Sequence, residues 1–309
     1  MNDVTRSGKD HRILLDIKRN KYIYIMLLAV VVWYCIFCYA PMYGAIIAFK
    51  NYSIGRGIFN SPWVGFKHFA AFFNDINFLR VVKNTFLINI YDILWGFPAP
   101  IIMALLLNEV RNRYFKRTIQ TLTYLPYFIS MVVVCGIIID FTSSNGIINQ
   151  LLSGLGVEKT NLLSKSEYFR TIYVSSGIWQ NVGWGSIIYL AALTNISPEL
   201  YESAVIDGAG KWKQLIHITL PGIASTIIVL LILRMGSIMS VGFEKIILLY
   251  NPLTYETADV IASYVYRKGL LNADYSYSTA IGLFNSVINF LFLVGSNWLS
   301  KRHTESSLW

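Results

Sequence analysis

Residues 201–221 of this 309-residue chain read YESAVIDGAGKWKQLIHITLP. This polar stretch lies between two long apolar runs, and its pattern predicts two short helices joined by a glycine bend. Ser197 and Pro198, just before it, form a helix start, because a hydroxyl can cap free amide groups and proline is preset for the first turn. Gly208 can take the left-handed conformation that ends a helix, and Asp207 is expected to cap the helix that follows.

The predicted second helix runs through Lys211, Trp212, Leu215 and Ile216, whose apolar members recur at the spacing of one helical face. Pro221 is expected to end this helix and to open the next apolar run. Helices this short are unstable alone in water, so we expect both to be held by packing against the protein and against a partner. The partner surface can approach the backbone closely at four small residues, which are Ala204, Gly208, Ala209 and Gly210.

The composition indicates an integral membrane protein. Hydrophobic residues make up 55% of the chain, charged residues 14%, and the mean hydropathy is +0.50. A bilayer core about 30 Å thick needs roughly 20 apolar residues per spanning helix. The predicted fold is therefore all-α, with six transmembrane helices at residues 22–48, 85–107, 118–141, 171–193, 222–243 and 279–299.

Basic residues indicate the orientation of these helices, because Lys and Arg are retained on the cytoplasmic side of short polar segments. With six spans, both termini are predicted to be cytoplasmic: a basic segment 1–21 and a tail 300–309 flank a membrane domain 22–299 that carries the polar loop 197–221. The net charge of +9 is thus explained by topology, and nucleic-acid binding is not expected. The basic residues on this side are Arg6, Lys9, Arg12, Lys18, Arg19, Lys21, Arg111, Arg113, Lys116, Arg117, Lys301 and Arg302.

Three long connections are predicted on the opposite side, at residues 51–83, 142–170 and 244–278. They are rich in Tyr, Trp, Asn, Gly and Pro, a composition suited to short packed helices and turns. Two interpretations stay open for them: they receive an external protein, or they only cap the helix bundle.

The polar loop resembles the coupling-loop motif of permease subunits of binding-protein-dependent ABC importers, in which Glu-Ala-Ala is followed by Asp-Gly-Ala and later by Ile-x-Leu-Pro. The chain departs from the motif at Ser203, where alanine is usual, and at Leu215, where phenylalanine is common. Both replacements leave the helix and its face intact. The resemblance implies that these two residues and Gly210 contact an ATPase together with the matching positions, which are Glu202, Ala204, Asp207, Gly208, Ala209, Ile218, Leu220 and Pro221.

The wider resemblance, from residue 22 onward, is to the carbohydrate branch of these permeases, especially the subunits of oligosaccharide and polysaccharide importers. It is carried by GIINQLL at 146–152, GIWQNVGW at 177–184 and LLYNPLTYETADVIASYVYRKGL at 248–270. The resemblance implies a type I ABC importer permease fold in the bacterial cytoplasmic membrane and an oligosaccharide substrate, which can be derived from a polysaccharide.

The same resemblance implies the partners. A second, similar permease would complete the pathway, two ATPase subunits would dock below, and an extracellular solute-binding protein would deliver the sugar. The chain itself would hydrolyse nothing and hold no cofactor or metal, because ATP and Mg would be bound by the ATPases. Consistently, the sequence has no G-x-x-x-x-G-K-[ST] phosphate loop.

Polar residues inside predicted spans are costly, so they mark either a substrate pathway or pairs between helices. Arg234 lies about twelve residues into the fifth span, roughly 18 Å at helical rise. It is expected either to attract an acidic sugar such as a uronate or to neutralise Asp92, Asp140 or Glu244. The full set of pathway candidates is Asp92, Asp140, Trp179, Gln180, Asn181, Trp184, Arg234, Asn285 and Asn289.

Three other classes of protein compete with this interpretation. A membrane-embedded enzyme would need a catalytic constellation, and motifs such as H-E-x-x-H and G-x-S-x-G are absent from the sequence. A stand-alone secondary transporter often shows internal repeats with broken helices, and the two halves of this chain show no convincing similarity. An ABC permease for a non-sugar solute stays open as the third alternative.

Overall fold

The helices of this protein are seen in a computed structural model, which describes residues 15–16, 18–304 and 307–309. Within these residues the regular structure is helical, apart from an isolated antiparallel bridge between Lys50 and Trp63. Most of the predicted basic segment 1–21, and residues 305–306 of the predicted tail, lie outside the described residues. The chain divides into two compact units, residues 1–68 and residues 69–309.

The first unit contains the long helix α1, Lys21–Phe49, and the short helix α2, Gly57–Asn60. A π turn, Cys35–Tyr39, interrupts the regular hydrogen bonding of α1, and the helix ends in a 3-10 segment, Tyr43–Phe49. Helix α3, Lys67–Phe73, crosses the boundary between the units.

The second unit is a bundle of long helices with short helices in the connections. Helix α8 lies at its centre and packs against α4, α5, α10 and α12. The helices of this unit are α4 Phe78–Glu109, α5 Arg113–Tyr124, α6 Met131–Thr142, α7 Ile147–Ser153, α8 Ser166–Thr194, α9 Pro198–Ile206, α10 Lys211–Met235, α11 Phe243–Leu249, α12 Tyr255–Ala258, α13 Ile261–Tyr266 and α14 Tyr275–His303.

Five helical segments among the described residues are long and apolar enough to cross a membrane. They overlap the spans predicted at 22–48, 85–107, 222–243 and 279–299 and part of the one at 118–141. Helix α8 covers the predicted span 171–193 and has 29 residues, but it does not belong to the apolar set. The five segments are Lys21–Phe49, Phe78–Glu109, Met131–Ser153, Lys211–Met235 and Tyr275–Arg302.

The span predicted at 118–141 is wrong as a single helix. Pro126 lies in the 3-10 turn Leu125–Phe128, and the next two residues are extended, with ψ of 136° at Ile129 and 146° at Ser130. A new helix, α6, begins at Met131. Proline lacks an amide hydrogen and restricts the residue before it, so an apolar run that contains it need not stay helical.

The span predicted at 222–243 also ends early. Helix α10 stops at Met235, and α11 begins only at Phe243. Asn289 of α14 binds the unwound segment between them, because its side-chain oxygen accepts from the amide of Met239 at 2.8 Å and its amide group donates to the hydroxyl of Ser240 at 3.0 Å. Irregular backbone is tolerated at membrane depth only when its polar groups are satisfied in this way.

The predicted long connections do contain short packed helices, and the connection 244–278 is held by a buried carboxylate. Asp259 is 0% exposed and accepts two hydrogen bonds from the Arg267 guanidinium, at 2.7 and 2.8 Å. Arg80 of α4 donates to the same carboxylate at 3.2 Å, and Ser263 donates at 2.8 Å. This Asp259 cluster fastens the connection to the start of α4.

A second carboxylate joins the same region to the last helix. Asp75 accepts hydrogen bonds from the hydroxyl groups of Tyr264 at 2.5 Å and Tyr277 at 2.8 Å. Burial alone would raise the pKa of Asp75, but the bonds from Tyr264, the Asn77 amide and Tyr277 outweigh it and lower the pKa to about 2. Asp75 therefore stays ionised at neutral pH, and this contact is insensitive to pH there.

We predict that Asp259→Asn destabilises the protein by about 3–5 kcal/mol, because it leaves two arginines without the buried charge that compensates them. Denaturant unfolding in detergent micelles measures the change in the free energy of unfolding. The matched control is Glu256→Gln, which neutralises an exposed acid in the same connection and should cost less than about 0.5 kcal/mol. Equal effects of the two substitutions would contradict the role given to Asp259.

Candidate functional site: a coupling surface and a central cavity

The glycine bend predicted for the polar loop is present. Helix α9 begins at Pro198 with Ser197 at its N-cap, although the serine hydroxyl makes no capping hydrogen bond. Gly208 has a φ of +73°, a conformation that favours glycine. Its amide donates to the carbonyl of Val205 at 3.0 Å, and the amide of Ala209 donates to the carbonyl of Ala204 at 2.8 Å. These two bonds form a complete Schellman motif, which ends α9.

The second helix differs from the prediction in two ways. Gly210 is its N-cap, whereas Asp207 is the C-cap of α9. The helix also does not end at Pro221. Helix α10 runs without a break from Lys211 to Met235 and has 25 residues. A π turn, Leu215–Thr219, directly precedes the proline, and we attribute the tolerance of Pro221 to this local widening of the helix. The predicted second helix is therefore the first part of a long apolar helix.

One side of this bent segment is anchored to the protein. The hydroxyl of Tyr201 lies 3.0 Å from that of Thr219, and the Gln214 side chain donates to the carbonyl of Ala209 at 2.9 Å. Five motif residues are half-buried: Ala204, Ala209, Leu215, Ile218 and Leu220. The others are exposed: Glu202, Ser203, Asp207, Gly208, Gly210 and Pro221.

The exposed side is the part that the sequence motif predicts to contact an ATPase, and we call residues 198–216 the coupling surface for that reason. A groove of about 630 Å³ runs between α9 and the end of α4, with Glu202 and Arg111 among its lining residues. Ile206 and Trp212 on this surface are 85% and 77% exposed. Exposed apolar side chains beside charges are a feature that protein-binding surfaces share.

The central cavity begins at a π turn in α4, Asp92–Gly96. The amide of Phe97 donates to the carbonyl of Asp92 at 2.8 Å, five residues back. A Cβ at Gly96 would lie 2.4 Å from the Asp92 carboxylate, so any larger residue there would force that carboxylate to shift. Turns of this kind recur at functional sites in helices.

Arg234, near the end of α10, reaches this turn. Its Nη2 donates to the Asp92 carboxylate at 2.5 Å and to the side-chain oxygen of Asn89 at 2.9 Å. Both members of the ion pair are about one third exposed, with 29% for Arg234 and 34% for Asp92. Of the three acids considered as partners for Arg234, Asp92 is the one that it contacts in the structure.

The ion pair lies in a cavity of about 500 Å³ between α4, α8 and α10. Asn181 of α8 also lines it, together with the aromatic residues Phe97, which is half-buried, and Tyr189, which is buried. The cavity therefore combines charged groups, an amide and aromatic walls, which is the usual make-up of a site for a small polar ligand.

The structure places the other pathway candidates away from this cavity. Trp179 lines a separate apolar cavity of about 270 Å³, and Trp184 stacks on Tyr127 with ring centroids 4.8 Å apart. Asn289 supports the unwound segment after α10, as described above. The remaining candidates are Asp140, which is exposed, Gln180, which is buried, and Asn285, whose half-buried side chain has an oxygen without a hydrogen bond among the described residues.

Two polar residues near the cavity escaped the sequence analysis. Asn89 lies inside a predicted span and belongs to the class of costly polar residues, so the same rule applied to it would have found it. Lys245 gave no such signal, because it falls just after a predicted span and has the appearance of a loop lysine.

These features define the class of protein as a multi-pass helical membrane protein with a polar cavity between its helices. One of the helices that line the cavity begins at an exposed, bent segment. The chain belongs to the family described as binding-protein-dependent transport system inner membrane component, whose profile matches residues 96–305. As a member of this family, it is a translocation component and not a catalytic one.

Individual relatives cover nearly the whole chain. Protein LplB of Bacillus subtilis (strain 168) is 44% identical over 99% of this chain and 96% of its own length. The polygalacturonan/rhamnogalacturonan transport system permease protein YteP of the same organism is 41% identical, with the same coverage. Among solved structures, a chain of the bacterial alginate ABC transporter, in complex with an alginate pentasaccharide-bound periplasmic protein, matches with a TM-score of 0.88 and 46% identity over 96% of this chain and 100% of that chain.

We predict that Arg234→Gln and Asp92→Asn each lower the free energy of unfolding. The double variant should lose less than the sum of the two single losses. Each single change leaves a half-buried charge unpaired, so the expected coupling free energy is about 1–2 kcal/mol. Unfolding of all four proteins in detergent micelles measures it. The control cycle is Lys211→Gln with Glu109→Gln, an exposed pair at 3.0 Å that should couple by less than about 0.5 kcal/mol. Additive effects of the Arg234 and Asp92 substitutions would contradict the pairing.

Proposed function

We propose that this chain is a permease subunit of an ATP-driven importer that moves acidic oligosaccharides across the bacterial cytoplasmic membrane. In this proposal six helices span the membrane with both termini in the cytoplasm, and α8 is the fourth of them. The chain pairs with a second, homologous permease and receives its sugar from an extracellular solute-binding protein. Two ATPase subunits below the membrane bind ATP and Mg.

The coupling surface carries the proposal. It presents an exposed apolar side chain, Ile206, and the exposed carboxylates of Glu202 and Asp207. The backbone that carries them turns at Gly208. The sequence contains no phosphate loop, so the energy of ATP must reach this chain by contact with another subunit. A surface that is anchored on one side and open on the other is suited to such a contact.

Helix α10 offers a direct mechanical route from that contact to the cavity. Lys211 at its start and Arg234 near its end lie about 35 Å apart at helical rise. A docked ATPase that moves Trp212 would therefore tilt the same helix that holds Arg234 against Asp92 of α4. The π turn Leu215–Thr219 supplies a point at which α10 can bend. The mechanism requires the coupling surface to bind two ATPase states with different affinity, because equal affinity would shift no equilibrium.

The cavity supports an acidic sugar as substrate. Arg234 can exchange a carboxylate of the protein for a carboxylate of the sugar, and bidentate pairing with carboxylates is what guanidinium groups do best. Phe97 can cover a C–H face of a sugar ring, while Asn181 can exchange hydrogen bonds with its hydroxyl groups. The names of YteP and of the alginate transporter refer to acidic polysaccharides, and they point to the same substrate class.

The substrate class is tested with the assembled complex in proteoliposomes. We expect oligosaccharides of uronic acids, delivered by the binding protein, to stimulate ATP hydrolysis and to enter the vesicles at least tenfold faster than neutral oligosaccharides of the same length. Faster uptake of the neutral sugars would contradict an acidic substrate while leaving the permease assignment intact. Uptake that continues after the ATPase subunits are inactivated would contradict the assignment itself, since a secondary transporter works alone.

The coupling role is tested with two variants of the bent segment. Glu202→Lys reverses a charge on the exposed side, and Gly208→Pro forbids the positive φ that ends α9. We expect both to insert into the membrane at normal levels and to lose at least nine tenths of ATP-dependent uptake. The matched control is Ser203→Ala, at the position after Glu202. It restores the alanine that is usual in the motif and should keep wild-type uptake. Normal uptake by the Glu202 variant would count against the coupling role.

A further inference from the structure

A buried lysine lies beside the central cavity. Lys245 belongs to α11, which follows the unwound segment after α10, and it is only 4% exposed. Its ammonium group donates to the carbonyl of Tyr173 at 2.8 Å and sits 4.6 Å from the centre of the Tyr173 ring. A cation over an aromatic face is attracted to it, so Tyr173 holds the ammonium group in place.

These contacts do not include an acid. Among the described residues, the ion pairs do not include Lys245, and its hydrogen bonding is limited to the one Tyr173 carbonyl, although an ammonium group can donate three. Burying a cation without a counter-ion is expensive, and such groups inside membrane proteins usually serve a function. A methionine would fill the same space without this cost.

The position of the ammonium group suggests that function. Gly177 of α8 forms part of the cavity wall that also includes Asp92 and Arg234. A Cβ at Gly177 would lie 3.5 Å from the Lys245 nitrogen, so the ammonium group stands behind a stretch of wall that carries no side chain. The lysine itself does not line the cavity, so it would act on a ligand through its electric field, and a charge in a low-dielectric setting acts more strongly than one in water.

A count of charges gives the sign of that field. The Arg234 guanidinium is paired at 2.5 Å with Asp92, the acid among the described residues that lines this cavity, so the two nearly cancel. Lys245 is a third charge in the same region, and it leaves the cavity with an excess of one positive charge. Such an excess favours an anionic ligand over a neutral one of the same shape.

We propose that Lys245 is a specificity-determining residue, which gives the Asp92–Arg234 cavity its selectivity for the carboxylate of an acidic sugar. The inference rests on the proposed function, since it assumes that the cavity is part of the sugar pathway. It adds Lys245, which lies behind Gly177, to the residues of the proposed site. No pattern in the sequence identifies this lysine.

The test compares Lys245→Met with Lys245→Arg in the reconstituted complex. The measured quantity is Vmax/KM for uptake of an oligouronate, divided by Vmax/KM for its carboxyl-reduced, neutral counterpart. We expect Lys245→Met to lower this ratio about tenfold, mainly through a higher KM for the oligouronate. Lys245→Arg keeps the charge and should stay within about threefold of the wild type.

The two variants separate charge from packing, because Lys245→Met removes the charge and Lys245→Arg keeps it. An unchanged ratio in Lys245→Met, or an equal fall in Lys245→Met and Lys245→Arg, would overturn the role of Lys245. A wild-type complex that shows no preference for the oligouronate would instead overturn the acidic substrate of the proposed function.

Discussion

The ion pair between Arg234 and Asp92 is the contact on which the arrangement of the central cavity depends. It joins the end of α10 to the π turn of α4, and both helix irregularities exist where the two side chains meet. A cation near the carboxyl end of a helix is favoured by the helix dipole, and a pair in a low-dielectric setting is far stronger than one in water. The same pair is only partly buried, so a ligand that enters the cavity can reach it.

The remaining polar contacts of this unit hold the surroundings of the cavity rather than the cavity itself. The Asp259 cluster and the bonds to Asp75 tie the connection 244–278 to the start of α4 and to α14. In these contacts each carboxylate has direct partners, because Asp259 pairs with Arg80 and Arg267 and Asp75 accepts from two tyrosine hydroxyl groups. Lys245 differs from them because, among the described residues, it is buried without an ion-pair partner. This difference between paired and unpaired buried charges separates the groups that hold the fold from the group that we connect with the substrate.

The structure also links the two functional regions through a single helix. Because α10 does not stop at Pro221, the residues that follow the glycine bend and the arginine of the cavity move as parts of one element. The π turn before the proline is the place where that element is least regular. In the proposed mechanism, a motion applied at the coupling surface would pass along α10 to Arg234. The bend at Gly208 lets α9 and α10 present their exposed residues side by side.

Much of this could be read from local patterns. Apolar runs of sufficient length predicted most of the membrane helices, and Pro198 and Gly208 predicted the limits of α9, because these signals depend on residues that are neighbours in the chain. Pro126 and Pro221 show where local patterns fail. Pro126 interrupts a predicted helix, whereas Pro221 is accommodated within α10, because a π turn directly precedes it.

The sequence by itself determined that the chain is a helical membrane protein with a bent polar segment between two apolar runs, because hydropathy and backbone preferences are properties of short stretches. Only the tertiary structure decided which acid neutralises Arg234, where α10 ends, and that Lys245 lies behind Gly177. Those facts depend on distances between residues that are far apart in the chain, and a count of polar residues along a span cannot supply such distances.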